Sequence, residues 1–331
     1  MATYREMPFP AVLSALFGGD EVPVHLVFRL SDMPAGDFEQ FRREWTEVSE
    51  ERRFALVRHM ADIAEENYLV DFSPVFAYLF DDNYPSVRMA ALDGLWDSTD
   101  THLIRPIIDI LQGDSHVGVR AAAARALAHY VLLAEWGQVD TGAAVPIVNA
   151  LLAEYDRPTA PLEVKRAALE AVAASNHPRV PELINDAYDD GPNDLQLSAL
   201  FAMGLTADRQ WLPILNDEMS SPSADFRAEA ARAAGGLGSA DSIDALEGLL
   251  NDQDIEVAMA AVYALGQIGG DRATELLTRL AEDPDYEELY DAIDEALEEM
   301  DLLEGDFDLL ALDIDDLEDD DDALLDDLRA N

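Results

Sequence analysis

The 331-residue chain contains no cysteine, so it can form no disulfide, thiolate nucleophile, cysteine-zinc site or iron–sulfur centre. Lysine is almost as scarce, because Lys165 is the only one and the other basic side chains are arginines. Aromatic residues make up 8% of the chain, and no apolar run approaches the roughly 18–20 residues that span a bilayer. The sequence therefore predicts neither thiol chemistry nor a membrane span.

Acidic residues dominate the charge, with 69 Asp and Glu against 21 Lys and Arg and a formal net charge of −48. Nucleic acids and anionic membranes are both bound through basic side chains, so we expect neither as a partner. The hydrophobic content of 49% is too high for a disordered chain and predicts a folded core. The first residues resemble a structural helix more than a signal peptide, so we expect a cytoplasmic protein. Both a halophilic host and a basic client would explain the acidity.

Six segments share a pattern of an apolar residue, then usually Arg or Lys, and then small residues. They read PSVRMAALDGL, VGVRAAAARAL, LEVKRAALEAV, DLQLSALFAMG, ADFRAEAARAA and IEVAMAAVYAL. Their basic column consists of Arg88, Arg120, Lys165, Gln196, Arg227 and Ala258, and the last four positions are 31 residues apart. Three residues further on, every segment has an alanine: Ala91, Ala123, Ala168, Ala199, Ala230 and Ala261. Residues with this spacing share a helix face, where alanines allow a second helix to approach closely.

An apolar-periodic helix precedes each of these segments, so the repeating unit is a helix–turn–helix of about 31 residues. The second-helix pattern D/S-x-x-V-R-x-x-A-x-x-A-L-G, best matched at 223–235 and 254–266, resembles HEAT repeats, and the short period is similar to the HEAT-like repeats of phycobilin lyase subunits. The resemblance implies an all-α fold, a right-handed α-α superhelix (α-solenoid) of about eight HEAT-like helical hairpins. We expect an N-terminal helical cap at 1–34, the solenoid at 35–300 and an acidic tail at 301–331.

HEAT-like proteins include scaffolds, transport receptors, bilin lyases, a DNA glycosylase and an iron hydroxylase, so function has to be argued from sites. The iron hydroxylase holds its metals with His-Glu dipeptides, whereas no histidine here precedes a glutamate and no two lie within four residues of each other. The glycine stretches at 235–239 and 266–271 lack the phosphate-loop pattern and are predicted to end helices. The sequence indicates no catalytic, cofactor-binding or metal-binding residue, and we expect no cofactor.

Two interpretations of the basic column remain open. In proteins with HEAT-like repeats the column arginine commonly pairs with an acidic or carbonyl group of a neighbouring repeat, which implies a structural ladder. The alternative is a cationic groove for an anionic peptide or ligand.

The last 31 residues contain 14 acids and one arginine. Apolar residues alternate with these acids, a composition typical of segments that fold onto a partner groove. The apolar positions that we select as partner-binding are Phe307, Leu309, Leu310, Leu312 and Ile314. A partner-docking motif, an autoinhibitory contact with the solenoid's own arginines, and a solubilising tail or final cap helix all remain open.

We expect a non-catalytic scaffold or adaptor that binds a protein or peptide on the concave face of the solenoid. Candidate groove residues are those on second helices that lie off the alanine face: Met89, Asp93, Arg125, Arg166, Glu170, Arg232, Met259 and Tyr263. Two alternatives remain, a bilin-lyase-like enzyme subunit and an assembly or chaperone-like factor whose acidic tail shields a basic client.

Overall fold

The computed structural model describes residues 7–19, 21–67 and 69–302. Within these ranges the chain forms helices joined by turns and short 3-10 segments, and no strand occurs there. The predicted all-α fold is therefore confirmed. The chain divides into two compact units, unit 1 (1–198) and unit 2 (199–331). The boundaries that we expect at residues 34 and 300 are untested and stay predictions.

Unit 1 is built from consecutive helical hairpins, and the second helix of each hairpin packs on the second helix of the next. Its helices are α1 (Phe9–Phe17), α2 (Val24–Val27), α3 (Ala35–Trp45), α4 (Glu50–Glu66), α5 (Ser73–Leu79), α6 (Pro85–Asp93), α7 (Ile104–Gly113), α8 (Val117–Glu135), α9 (Ala144–Asp156), α10 (Leu162–Ala173), α11 (Val180–Asp190) and the first part of α12 (Asn193–Leu205). The pairs α5–α6, α7–α8 and α9–α10 form hairpins, and α4, α6, α8 and α10 contact each other in that order. This is the packing that the alanine column predicts.

Unit 2 begins within α12 and repeats the arrangement. It continues with α13 (Leu212–Glu218), α14 (Ala224–Gly236), α15 (Ile243–Leu249), α16 (Ile255–Ile268), α17 (Gly270–Ala281) and α18 (290–302). The hairpins are α13–α14 and α15–α16, and the second helices α14 and α16 pack closely along their length.

The alanine column lies at the helix–helix contacts of both units. All six of its members are 0% exposed: Ala91, Ala123, Ala168, Ala199, Ala230 and Ala261. A larger side chain at such a position would have no space without moving a neighbouring helix. The predicted role of the column is confirmed.

Helix α8 is long and apolar enough to cross a membrane by length and composition, which the sequence analysis did not anticipate. However, 61% of its most apolar window is buried inside the protein, and α8 packs against α6, α7 and α10. These contacts are those of a core helix of unit 1.

Glycines allow the second helices of unit 2 to approach closely. A Cβ atom added to Gly204 would lie 2.7 Å from the Ala233 Cα, and one added to Gly235 would lie 2.8 Å from the Ala264 Cα. Real Cβ atoms essentially never come this close to a neighbouring carbon, so the helices can adopt this spacing only with glycine at both positions.

The expectation that all glycines at 235–239 and 266–271 end helices was wrong in part. Gly269 is the C-cap of α16 with a φ of 64°, and Gly238 follows α14 with a φ of 59°, as helix-ending glycines do. Gly235 and Gly236 instead lie inside α14. The close approach of α16 explains the glycine at 235.

Replacing Gly235 by alanine should lower the free energy of unfolding of unit 2 by about 1–2 kcal/mol, because the new methyl group would meet the backbone of α16. Gly248→Ala in α15 is the matched control, since a Cβ atom there meets nothing within 4 Å. It should stabilise unit 2 by up to about 1 kcal/mol through helix propensity. Urea denaturation of both variants checks this, and stabilisation by Gly235→Ala would contradict the close approach.

Two arginines of the basic column, Arg88 and Arg227, form a structural ladder of ion pairs. Arg88 donates from Nε and Nη2 to the Asp114 carboxylate at 2.8 and 2.9 Å. Arg227 makes the same bidentate contact with Asp252, both distances being 2.7 Å. The third nitrogen of each arginine donates to a backbone carbonyl of the turn before its own helix. The ladder interpretation is confirmed at both residues, and the cationic-groove interpretation is wrong there.

The ladder predicts a pH dependence of stability in unit 2. The hydrogen bond from Arg227 holds the pKa of Asp252 below its usual value, which is about 3.9 in an unfolded chain. The ion pair therefore contributes stability that is complete above the unfolded-state pKa and is lost as the pH falls through the lower folded-state pKa. Asp252→Asn should destabilise unit 2 at neutral pH, and this effect should shrink on acidification.

Urea denaturation of wild type and Asp252→Asn at several pH values measures that loss. Asp217→Asn, on an exposed position of α13 in the same unit, removes the same charge without touching the ladder and serves as the control. An effect of Asp252→Asn that does not change with pH would contradict the role of the ion pair.

Candidate partner-binding groove

The residues that follow the basic column by five positions lie on the outward face of the second helices. With 3.6 residues per turn, five residues rotate a side chain well away from the packed column. In unit 2 this outward column consists of Phe201 on α12, Arg232 on α14 and Tyr263 on α16, and all three are exposed. The helices that bury the alanines therefore present two aromatic rings and a guanidinium group on their other side.

A groove of about 420 Å³ lies along this face of unit 2. Its walls are the large apolar side chains of Phe201, Leu205 and Tyr263, which remain 42%, 39% and 40% exposed. Between them lie four small residues: Gly204, Ala233, Gly236 and Ala264. Large side chains beside small ones leave a depression that is apolar on several sides, which is typical of binding sites.

Polar groups border the groove. Arg232 Nη1 lies 3.2 Å from the Glu229 Oε2 atom, and the Tyr263 hydroxyl donates to the Glu295 Oε2 atom at 3.1 Å. The hydrogen bond to Glu295 raises the pKa of Tyr263. Glu295 thereby lies beside the aromatic wall of the groove.

Two of the eight residues predicted from the second helices, Arg232 and Tyr263, line this groove. A third, Met259, is half-buried on α16 and is not among the lining residues. The predicted tail residues Phe307, Leu309, Leu310, Leu312 and Ile314 lie outside the described residues.

The other predicted residues are in unit 1, where the outward column is charged. Asp93 and Arg125 are exposed. Arg166 and Glu170 both contact the buried Ser198, which accepts a hydrogen bond from Arg166 Nε at 2.9 Å and donates one to Glu170. This internal network engages both side chains within unit 1. The eighth residue, Met89, is half-buried.

Phe201, Leu205 and Gln267 also line the groove and were not predicted from the sequence. Phe201 follows Gln196 by five residues, just as Arg232 follows Arg227. Extending the outward column through the repeat whose basic position is a glutamine would have identified it.

A second cavity, of about 480 Å³, lies in unit 1 and includes Asp71, Asp97 and Asp100 in its lining. Two of these carboxylates accept backbone hydrogen bonds at 2.9 Å, Asp71 from Ser73 and Asp100 from His102. They thus fix the start of the following helical segments. Within the part of the chain that the structure describes, no three His, Asp or Glu residues are grouped so that they could hold a metal ion.

Comparison with known proteins identifies the repeat type of unit 2. A family model described as HEAT repeats matches residues 209–298. No curated protein matches the chain. Among solved structures, the chain is similar to YibA of Escherichia coli, with 17% identity, a TM-score of 0.43 and coverage of 77% of this chain and 97% of YibA.

It is also similar to human deoxyhypusine hydroxylase in complex with glycerol, with 18% identity, a TM-score of 0.35 and coverage of 88% and 96%. An engineered protein matches with 20% identity, a TM-score of 0.38 and coverage of 88% of both chains. The resemblance seen in the sequence is confirmed by the family match: residues 209–298 of this chain are HEAT repeats.

Proposed function

We propose that this chain is a non-catalytic binding protein, of cytoplasmic location, and that the groove of unit 2 holds a segment of a partner protein. HEAT repeats commonly mediate protein–protein interaction. The observation that carries the proposal is the set of exposed apolar walls, Phe201, Leu205 and Tyr263, around a floor of small residues. Leaving such side chains in water forgoes the free energy that their burial would release.

The architecture supports this use of the outward face. The alanine column occupies the inner face of the second helices, and the arginine ladder lies beside it on α6 and α14, so changes on this face would affect folding. The outward column of unit 2 is exposed and carries two aromatic side chains, whereas that of unit 1 is charged. Residues of this kind can set specificity without disturbing the helix packing.

Peptide display on the full chain tests the proposal. Selected peptides should bind wild type and lose at least about tenfold in affinity with Phe201→Ala or Tyr263→Ala, because aromatic residues in pockets dominate binding energy. Ile255→Ala is the matched control, since Ile255 is 40% exposed in the same unit and does not line the groove. Equal losses in all three variants would overturn the proposal.

The bilin-lyase-like subunit is the alternative from another functional class. Absorbance of the purified protein above about 300 nm, which the protein's own side chains do not explain, or stoichiometric metal would favour it. Neither would be produced by a binding protein of the kind proposed.

A further inference from the structure

We infer that the partner segment is basic as well as apolar, with a Lys or Arg side chain placed beside the carboxylate of Glu295 and against the ring of Tyr263. The inference rests on the proposed function and specifies the chemistry of the partner. It follows from the charge of unit 2, from the polar border of the groove and from the composition of the remaining chain.

The described part of unit 2 carries a large net negative charge. Residues 199–302 contain 24 Asp and Glu, five arginines and no lysine, a formal net charge of −19. A field of this sign accelerates the approach of cationic partners and disfavours anionic ones. A neutral or acidic segment would gain the apolar contacts of the groove but not this attraction.

The border of the groove locates a site for the cation. Glu229 is matched by the neighbouring guanidinium of Arg232, so the charges of this pair largely offset each other. Glu295 is exposed, and its carboxylate accepts a hydrogen bond from the hydroxyl of Tyr263. A cation beside Glu295 would also lie close to the Tyr263 ring, and aromatic faces attract Lys and Arg.

The chain's own C-terminal segment is the other apolar candidate for the groove. Residues 303–331 contain the apolar positions Phe307, Leu309, Leu310, Leu312 and Ile314. They also contain 13 acids and one arginine. Like charges brought together cost free energy, so the charge balance favours a basic partner over this segment.

Two synthetic peptides with identical leucine and tryptophan anchors test the inference, one with lysines and the other with glutamates at the remaining positions. Binding to the full chain is measured by fluorescence anisotropy at low and high salt. The lysine peptide should bind at least about tenfold tighter, and the preference should fall with salt.

Site variants separate recognition at the groove from general attraction to an acidic protein. Glu295→Gln should weaken the lysine peptide by about threefold to tenfold, as loss of a charge-assisted contact does. Asp217→Asn, which removes the same charge from an exposed position of α13, should leave its affinity unchanged. Tyr263→Ala should weaken the lysine peptide further. Denaturation curves of each variant confirm that it is folded.

Several results would overturn the inference. Equal or tighter groove-dependent binding of the glutamate peptide would refute the charge preference while leaving the proposed function intact. Equal effects of Glu295→Gln and Asp217→Asn would show general attraction without a cation site. If neither peptide depends on Phe201 or Tyr263, both the inference and the proposed groove fail. If the lysine peptide binds only after Leu309, Leu310 and Leu312 are changed to serine in the full chain, the occupant is the chain's own segment.

Discussion

Replacing Asp82 by alanine should lower the free energy of unfolding of unit 1 by about 3–5 kcal/mol, the usual cost of removing one partner of a buried ion pair. The Asp82 carboxylate accepts hydrogen bonds from Arg53 Nη1 at 2.8 Å, from the Trp45 indole at 2.7 Å and from the Tyr84 amide at 3.0 Å. The Arg53 and Asp82 side chains are only 5% and 2% exposed. Without the carboxylate, the buried guanidinium group of Arg53 would lose its counter-charge and the buried indole N–H of Trp45 would lose its acceptor.

Asp81→Ala is the matched control for this prediction, because Asp81 is the neighbouring acid and is exposed. It should change the free energy of unfolding by less than about 0.5 kcal/mol. Urea denaturation followed by tryptophan fluorescence measures both variants. Similar stabilities of the two would show that Asp82 has no special role in unit 1.

Replacing Ala168 by leucine should cost about 3 kcal/mol, at the upper end of what overpacking a core costs. Ala168 is 0% exposed on α10, a helix that packs against both α8 and α9. The longer side chain has no cavity to enter, so the helices must separate or adopt strained rotamers.

The control for Ala168→Leu is Ala153→Leu on α9, where the alanine is exposed. Leucine is a good helix former, so this change should be within about 0.5 kcal/mol of wild type. Thermal and urea unfolding compare the two variants. Equal tolerance of leucine at both positions would contradict the role assigned to the alanine column.

Much of the helix packing could be predicted because it depends on local repetition. Predicting the alanine column required only that small residues recur on one helix face, and all six of its members are buried. The ladder at Arg88 and Arg227 followed from the resemblance to HEAT repeats. An earlier member, Arg53 with Asp82, was not recognised, because its segment matches the repeat pattern too weakly to be aligned.

The groove could be predicted only in part, because it depends on side-chain sizes across three different helices. Arg232 and Tyr263 were selected for their place on second helices. Phe201 was missed because no candidate residue came from α12, the repeat with Gln196 in its basic column. Arg166 and Glu170 were selected on the same grounds, but a single buried hydroxyl, that of Ser198, engages both. Hydrogen bonds of this kind join two neighbouring helices, so they cannot be predicted from the sequence of one repeat alone.

Photo-crosslinking in the native host tests most directly whether the groove of unit 2 receives a partner. A photoreactive phenylalanine analogue is placed at position 201 in one sample and at position 255 in another, two sites of unit 2 whose native side chains are 42% and 40% exposed. We expect a discrete adduct with another protein from position 201 and none from position 255. Equal adducts from both positions, or an adduct from position 255 alone, would contradict the assignment of the groove as the binding site.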